Sequence, residues 1–113
     1  MTDTIFQKIL NKEINADIVY EDEKSLVFRD INPVAPTHLL IIPKKQIEKI
    51  SDANEEDKDL LGHLFLVAGK VAKDLEIENA FRLVVNNGAG AQQTVFHLHI
   101  HLLADREFNW PPG

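Results

Sequence analysis

The stretch Gln92-Gln93-Thr94-Val95-Phe96-His97-Leu98-His99-Ile100-His101-Leu102-Leu103 places three histidines at alternate positions inside an apolar run. Successive side chains of a β-strand point to opposite faces, so this spacing sends His97, His99 and His101 one way and Leu98, Ile100 and Leu102 the other. The apolar face calls for a core. The imidazole face calls for a chemical explanation, because the chain has only five histidines in 113 residues. Three explanations compete: a solvated strand face that carries histidine by chance, a metal site, and a phosphate site with a histidine nucleophile. Three neutral imidazoles on one face can meet a tetrahedral zinc and leave a position open for water.

The phosphate reading gains from the residues just before the histidines. Gly88, Gly90, Gln93 and Thr94 supply a flexible turn, an amide and a hydroxyl, which are the donors and backbone freedom needed around phosphoryl oxygens. A phosphorus held there would face an imidazole a few residues later. With an ordinary pKa near 6.5, roughly three-quarters of a histidine is neutral at pH 7 and keeps a free lone pair. Alternate strand residues lie roughly 7 Å apart, so two imidazolium charges would repel by about 2 kcal/mol at an effective dielectric of 20. At least one ring is therefore expected to stay neutral until an anion arrives.

Working outward, Asp3 or Thr4 can cap a short helix whose Ile5, Phe6, Ile9 and Leu10 fall at helical spacing. Ile18-Val19-Tyr20 and Leu26-Val27-Phe28 read as a hairpin, and Pro33 and Pro36 mark an irregular loop. His38-Leu39-Leu40-Ile41-Ile42 follows as a central strand ended by Pro43. Asp52 with Glu55 resembles a capping box, and Leu60, Leu64, Val67, Val71 and Leu75 form one stripe, which predicts a long helix over 53–75. Phe81-Arg82-Leu83-Val84-Val85 is the next strand, the loop from Asn86 to Ala91 leads into the histidine strand, and Trp110-Pro111-Pro112-Gly113 favours a polyproline-like tail. The acidic run Glu55-Glu56-Asp57 reads as solvated charge at a helix N-terminus. The order predicts an α+β fold, with a mainly antiparallel sheet of about five strands, a short N-terminal helix and one long helix.

Composition narrows the function classes. A net charge of −6 opposes a general nucleic-acid binder, which needs clustered Lys and Arg, but leaves room for a single nucleotide. The absence of cysteine removes disulfides, thiolate nucleophiles and Cys-type zinc sites. No apolar run is long enough for a signal core or a membrane span, which points to a cytoplasmic protein without a membrane partner. The length suits one domain over residues 1–113.

His97-Leu98-His99-Ile100-His101-Leu102-Leu103 matches the histidine-triad signature, His-x-His-x-His followed by two apolar residues. Asp30-Ile31-Asn32-Pro33-Val34-Ala35-Pro36-Thr37-His38, Ile42-Pro43-Lys44-Lys45, Leu61-Gly62-His63 and the ending Trp110-Pro111-Pro112-Gly113 resemble the Hint branch, the histidine-triad nucleotide-binding proteins, over nearly the whole chain.

The resemblance implies a homodimeric nucleoside phosphoramidase. Its substrates would be purine nucleoside 5′-phosphoramidates, adenosine 5′-monophosphoramidate among them, and aminoacyl-adenylates, with purine nucleoside monophosphates as products and with neither metal nor other cofactor. His99 would be the nucleophile, oriented by the His97 carbonyl, with the side chains of His97 and His38 as a supporting network. His101 and backbone amides would hold phosphoryl oxygens, and Thr94 the phosphate or the leaving nitrogen. Asp30 would bind the ribose diol with Ile31 closing on the sugar, Asn86 and Gln93 would lie on the phosphate side, and Ile5, Phe6, Ile9, Phe28 and Leu40 would form the base slot. Trp110 would reach the partner's site, and His63 would lie at the dimer interface. Where relatives carry Gly-Gln-Ser, this chain has Gln92-Gln93-Thr94, so Gln92 is expected to narrow the approach to the phosphate and shift leaving-group preference.

Overall fold

The computed structural model describes residues 3–113. Strands β1 (Ile18–Glu21), β2 (Ser25–Arg29), β3 (Thr37–Pro43), β4 (Phe81–Val84) and β5 (Ile100–Ala104) form one antiparallel sheet in the order β1-β2-β3-β5-β4. Helices α1 (Ile5–Leu10) and α2 (Lys58–Asp74) complete the α+β arrangement expected from the sequence.

The central strand β3 is buried at every position, because a helix covers each face of the sheet. Leu39 and Ile41 share one core with Val27, Leu98, Ile100 and Leu102 and with Leu64, Val67 and Val71 of α2. Leu40 and Ile42 point the other way, into a smaller core with Leu26, Phe28 and the α1 residues Phe6 and Ile9. Six residues of helix are too few to persist alone. Helix α1 is held by those two anchors and by Thr4, whose hydroxyl accepts from the Gln7 amide at 3.1 Å.

The register decides where the histidines go. Phe28 pairs with Leu40, Leu40 with His101, and His101 with Val84, while His38 pairs with Leu103 and Leu103 with Arg82. Directly paired residues share a face, so His38 and His101 stand on the α1 side. Leu98, Ile100 and Leu102 lie in the α2-side core, as the alternation in the sequence requires.

Several expectations need correction. The histidine segment is not one long strand: β5 begins only at Ile100, where its pairing with Ile41 begins, and His97 and His99 lie on the run-in. That run-in is fixed by Leu98, whose N–H donates to the Ile47 carbonyl at 2.7 Å. The long helix starts at Lys58, after two 3₁₀ turns, Ile50–Asp52 and Glu55–Asp57. The capping box is Asn54 with Asp57, two residues beyond the expected pair and on the second 3₁₀ turn rather than the helix: the Asn54 side chain accepts from the Glu56 N–H and the Asp57 carboxylate from the Asn54 N–H, each at 3.1 Å. Asp57 is consequently buried, with Lys45 on its carboxylate, and is not a solvated charge. The tail forms neither helix nor strand, and its Trp110–Pro111 bond is cis. Among the described residues no helix is long and apolar enough to cross a membrane.

Candidate functional site

A cavity of about 280 Å³ opens between α1 and the sheet, and is lined by Ile5, Phe6, Ile9, Phe28 and Leu40, the five residues assigned to the base slot. Asp30, Ile31, Thr94, His99 and His101 also line it. Helical spacing puts Ile5, Phe6 and Ile9 on one side of α1, and the Phe28–Leu40–His101 register row supplies the floor. The sequence reading did not assign Ile14, Asn15, Ala16, Arg29, Asn32 and Val95 to the site, and these complete the wall. The first three sit just after α1, in a segment with neither periodicity nor motif to mark it.

His99 is buried, and its Nδ1 lies 2.7 Å from the His97 carbonyl oxygen. A carbonyl only accepts, so Nδ1 carries the proton and Nε2 is left as a lone pair. Phe6 packs edge-on to this ring with centroids 5.0 Å apart, and His101 lies at the same distance on another side. Burial pushes the His99 imidazole below the ordinary histidine range, against the raising influence of the His97 carbonyl and Asp30. At neutral pH the ring is uncharged, with a fixed tautomer and a free Nε2 lone pair.

A second chain of hydrogen bonds sets His101. The backbone N–H of Val34 donates to His38 Nδ1 at 3.1 Å, so the His38 proton sits on Nε2, 2.9 Å from His101 Nδ1. His101 therefore accepts at Nδ1 and keeps its own proton on Nε2. Burial first, then the neighbouring His99 and His38, push His101 down to about 4, so it is a neutral donor at pH 7. Burial likewise lowers His38.

The expected partnership between the His97 and His38 side chains does not form. His97 is fully buried and its Nε2 donates to the Pro43 carbonyl at 2.8 Å, while Nδ1 has no partner among the described residues. Burial lowers this imidazole too. His97 acts on the site through its carbonyl, and His38 through His101.

Asp30 combines two duties. Oδ1 accepts from the Asn32 N–H at 2.8 Å, the turn-forming bond that any Asp before Asn-Pro can make, and Oδ2 stands 3.4 Å from His38 Nε2. Each oxygen retains a second lone pair on the cavity wall. Ile31 is 84% exposed, free to close over a ligand.

Other expected site residues lie elsewhere. Gln93 is buried away from the cavity: Oε1 accepts from the Gly88 N–H at 2.8 Å, and Nε2 donates to the carbonyls of Glu48 and Val95 at 2.8 and 3.1 Å. Its oxygen holds the glycine loop, while its amide protons are taken by the Glu48 and Val95 carbonyls and are not free for a phosphate. Asn86 is also absent from the cavity lining. Gln92 is exposed and does not narrow the cavity; what distinguishes it is a left-handed backbone with φ 71°. His63 reaches Asp22 Oδ2 at 2.8 Å, tying α2 to the β1–β2 turn.

Donor atoms of Asp30, His38 and His101 lie within 4.8 Å of one another, as a metal site would require. The tautomers do not fit one. His38 Nδ1 receives the Val34 N–H, so Nε2 holds its proton and has no lone pair to give a cation.

The family model described as the HIT domain matches residues 11–108. The chain belongs to the HIT domain family. An uncharacterized HIT-like protein of Synechocystis is 60% identical over 111 residues, covering 98% of this chain and 97% of its own. A 14 kDa zinc-binding protein of Zea mays is 52% identical over 97% of this chain and 88% of its own. Among solved structures, a HIT family hydrolase from Legionella pneumophila superposes with a TM-score of 0.95 at 47% identity, over 98% of this chain and 100% of that one. A histidine triad nucleotide-binding protein from Candida albicans gives 0.83 at 31% identity, over 98% and 85%. The resemblance read from the triad is thus confirmed at the level of the family, and the HIT fold places the triad where the cavity meets β5.

Proposed function

We propose that this HIT-domain protein is a hydrolase that cleaves the P–N bond of purine nucleoside 5′-phosphoramidates and also turns over aminoacyl-adenylates. The observation that carries the reading is the fixed tautomer of His99: Nδ1–H on the His97 carbonyl leaves a neutral lone pair beside an apolar slot. A purine would lie among Ile5, Phe6, Ile9, Phe28 and Leu40, the ribose hydroxyls against Asp30 under Ile31, and the phosphate beside His101 and Thr94.

His99 Nε2 attacks phosphorus, and the P–N bond breaks as the nitrogen leaves with the bonding pair and gains a proton from solvent. The resulting positive charge on the nucleotidyl-imidazole is shared through Nδ1–H with the His97 carbonyl. His101, a neutral donor through Nε2–H, holds a non-bridging oxygen as negative charge gathers there. Water then attacks phosphorus, the P–Nε2 bond breaks with its pair returning to His99, and the water's proton restores the one solvent gave. Nucleoside monophosphate and amine are the products.

The protein is further proposed to act as a cytoplasmic homodimer built from one domain. Phe65 and Leu66 of α2 are 51% and 76% exposed beside an apolar hollow lined by Leu61, Phe65, Val85, Leu98 and Ile100, and β4 leaves a sheet edge open. A second copy would cover this face, and Trp110, 82% exposed, is free to meet a partner.

Release of a fluorogenic amine from its adenosine 5′-phosphoramidate, compared between wild type and His99→Ala in excess EDTA, tests the reading. Turnover lost in the variant, with a nucleotidyl adduct trapped on wild-type His99, is the expected result. AMP binding without turnover would overturn the enzyme and leave a nucleotide-binding module.

A further inference from the structure

The segment after β5 folds back on the loop that precedes His38. Arg106 Nε donates to the Val34 carbonyl at 3.2 Å and Nη1 to the Glu107 carbonyl at 3.0 Å. Its guanidinium carbon lies 4.4 Å from the Phe108 ring centroid, that of Arg82 lies 4.8 Å away, and Arg82 Nη2 donates to the Asn109 carbonyl at 3.0 Å. Two cations on one ring make a clasp that fixes the direction of the Arg106 side chain.

Val34 is the residue whose N–H sets the tautomer of His38. Its own burial does not hold it in place, since its side chain is 62% exposed; of its loop neighbours Ile31, Asn32, Pro33 and Pro36 are exposed as well and only Ala35 is buried. Pro33 and Pro36 have no N–H with which to anchor the loop. The polar ties of residue 34 are therefore its N–H to His38 and its carbonyl to Arg106.

We propose that Arg106 is a positioning residue: by holding the Val34 carbonyl it keeps the Val34 N–H on His38 Nδ1, and so keeps the protons of both His38 and His101 on Nε2. Without that N–H, His38 is free to carry its proton on Nδ1 and present Nε2 as an acceptor, which draws the His101 proton to Nδ1 and leaves no donor for the phosphate. What the tautomers accomplish rests on the proposed phosphoramidase reading; that Arg106 sets them does not.

The test is long-range ¹H–¹⁵N correlation of the histidine rings in the full chain at pH 7.5, with His38 and His101 assigned from His38→Gln and His101→Gln. Wild type should show bare Nδ1 and protonated Nε2 at both residues. Arg106→Ala, and Arg106→Leu, which keeps apolar packing on Phe108, should show mixed tautomers. In the phosphoramidate assay both should lose about tenfold in kcat with KM changed by less than about twofold. Arg82→Ala loosens the clasp without touching Val34 and should keep wild-type tautomers. Unmixed tautomers in the Arg106 variants, or equal mixing in Arg82→Ala, would overturn the proposal. Mixed tautomers in an Arg106 series whose wild type has no turnover would instead sink the phosphoramidase reading and leave this one standing.

Discussion

Lowering the pH from 7.5 to 4.5 should destabilise the protein chiefly through the imidazoles facing the cavity, and His101 should account for a measurable share. Burial, then His99 and His38, move its pKa from 6.5 to about 4. A histidine lowered in the folded state binds its proton more readily once unfolded. Its stabilising contribution is complete above about pH 6.5 and is lost as the pH falls through the folded value near 4. At about 1.4 kcal/mol per pH unit the span has an upper bound of about 3 kcal/mol. His101 is only partly buried, and water screening reduces this to about 2 kcal/mol. Urea denaturation followed by circular dichroism, at pH 7.5 and 4.5, for wild type and His101→Gln, measures it. Carboxylates protonate in both proteins, so the difference between the two pH-induced losses isolates the imidazole. The variant should lose about 2 kcal/mol less on acidification than wild type. Equal losses would refute the reasoning that burial and neighbouring rings hold His101 neutral.

Gln92→Gly should raise stability by about 0.5–1 kcal/mol, because a left-handed backbone costs a side chain more than the extra freedom of unfolded glycine. Gln92→Ala, which keeps the strain, should not, and equal melting temperatures for Gly and Ala would contradict the backbone argument. Asn54→Ala should cost about 1 kcal/mol in chemical denaturation through loss of the capping box before α2. Phe6→Ala should cost about 3 kcal/mol and, if the proposed base slot is right, weaken AMP binding roughly tenfold by calorimetry, since one ring anchors α1, lines the cavity and packs on His99. Unchanged binding would move the base elsewhere.

Alternation was the most legible signal in the sequence. The sorting of His101 from Leu98, Ile100 and Leu102, the apolar run of β3 and the α2 stripe all follow from spacing alone. All five residues of the predicted base slot line one cavity, because helix and strand periods fix which side each faces. What failed depended on distant partners. Gln93 looked like a phosphate donor until the Glu48 carbonyl, 45 residues away, claimed its amide. Asp57 looked solvated because nothing local announces Lys45 across twelve positions. The capping boxes Asp52–Glu55 and Asn54–Asp57 look alike in sequence, and the choice fell to the separate turn at Ile50–Asp52. The tautomers of His38 and His101 depend on a backbone N–H, which no side-chain motif encodes.

His99 and His101 line the cavity on one side of the sheet, while Leu98 and Ile100, interleaved with them, line the open apolar hollow on the other. The thickness of a single backbone separates the two. Any substitution that repacks Leu98 or Ile100 must move the peptide units that aim the rings, so surface and chemistry cannot drift independently here. An engineer seeking new assemblies from this scaffold would do better to vary Phe65 or Leu66, whose helix can be redrawn without touching the run that carries His99.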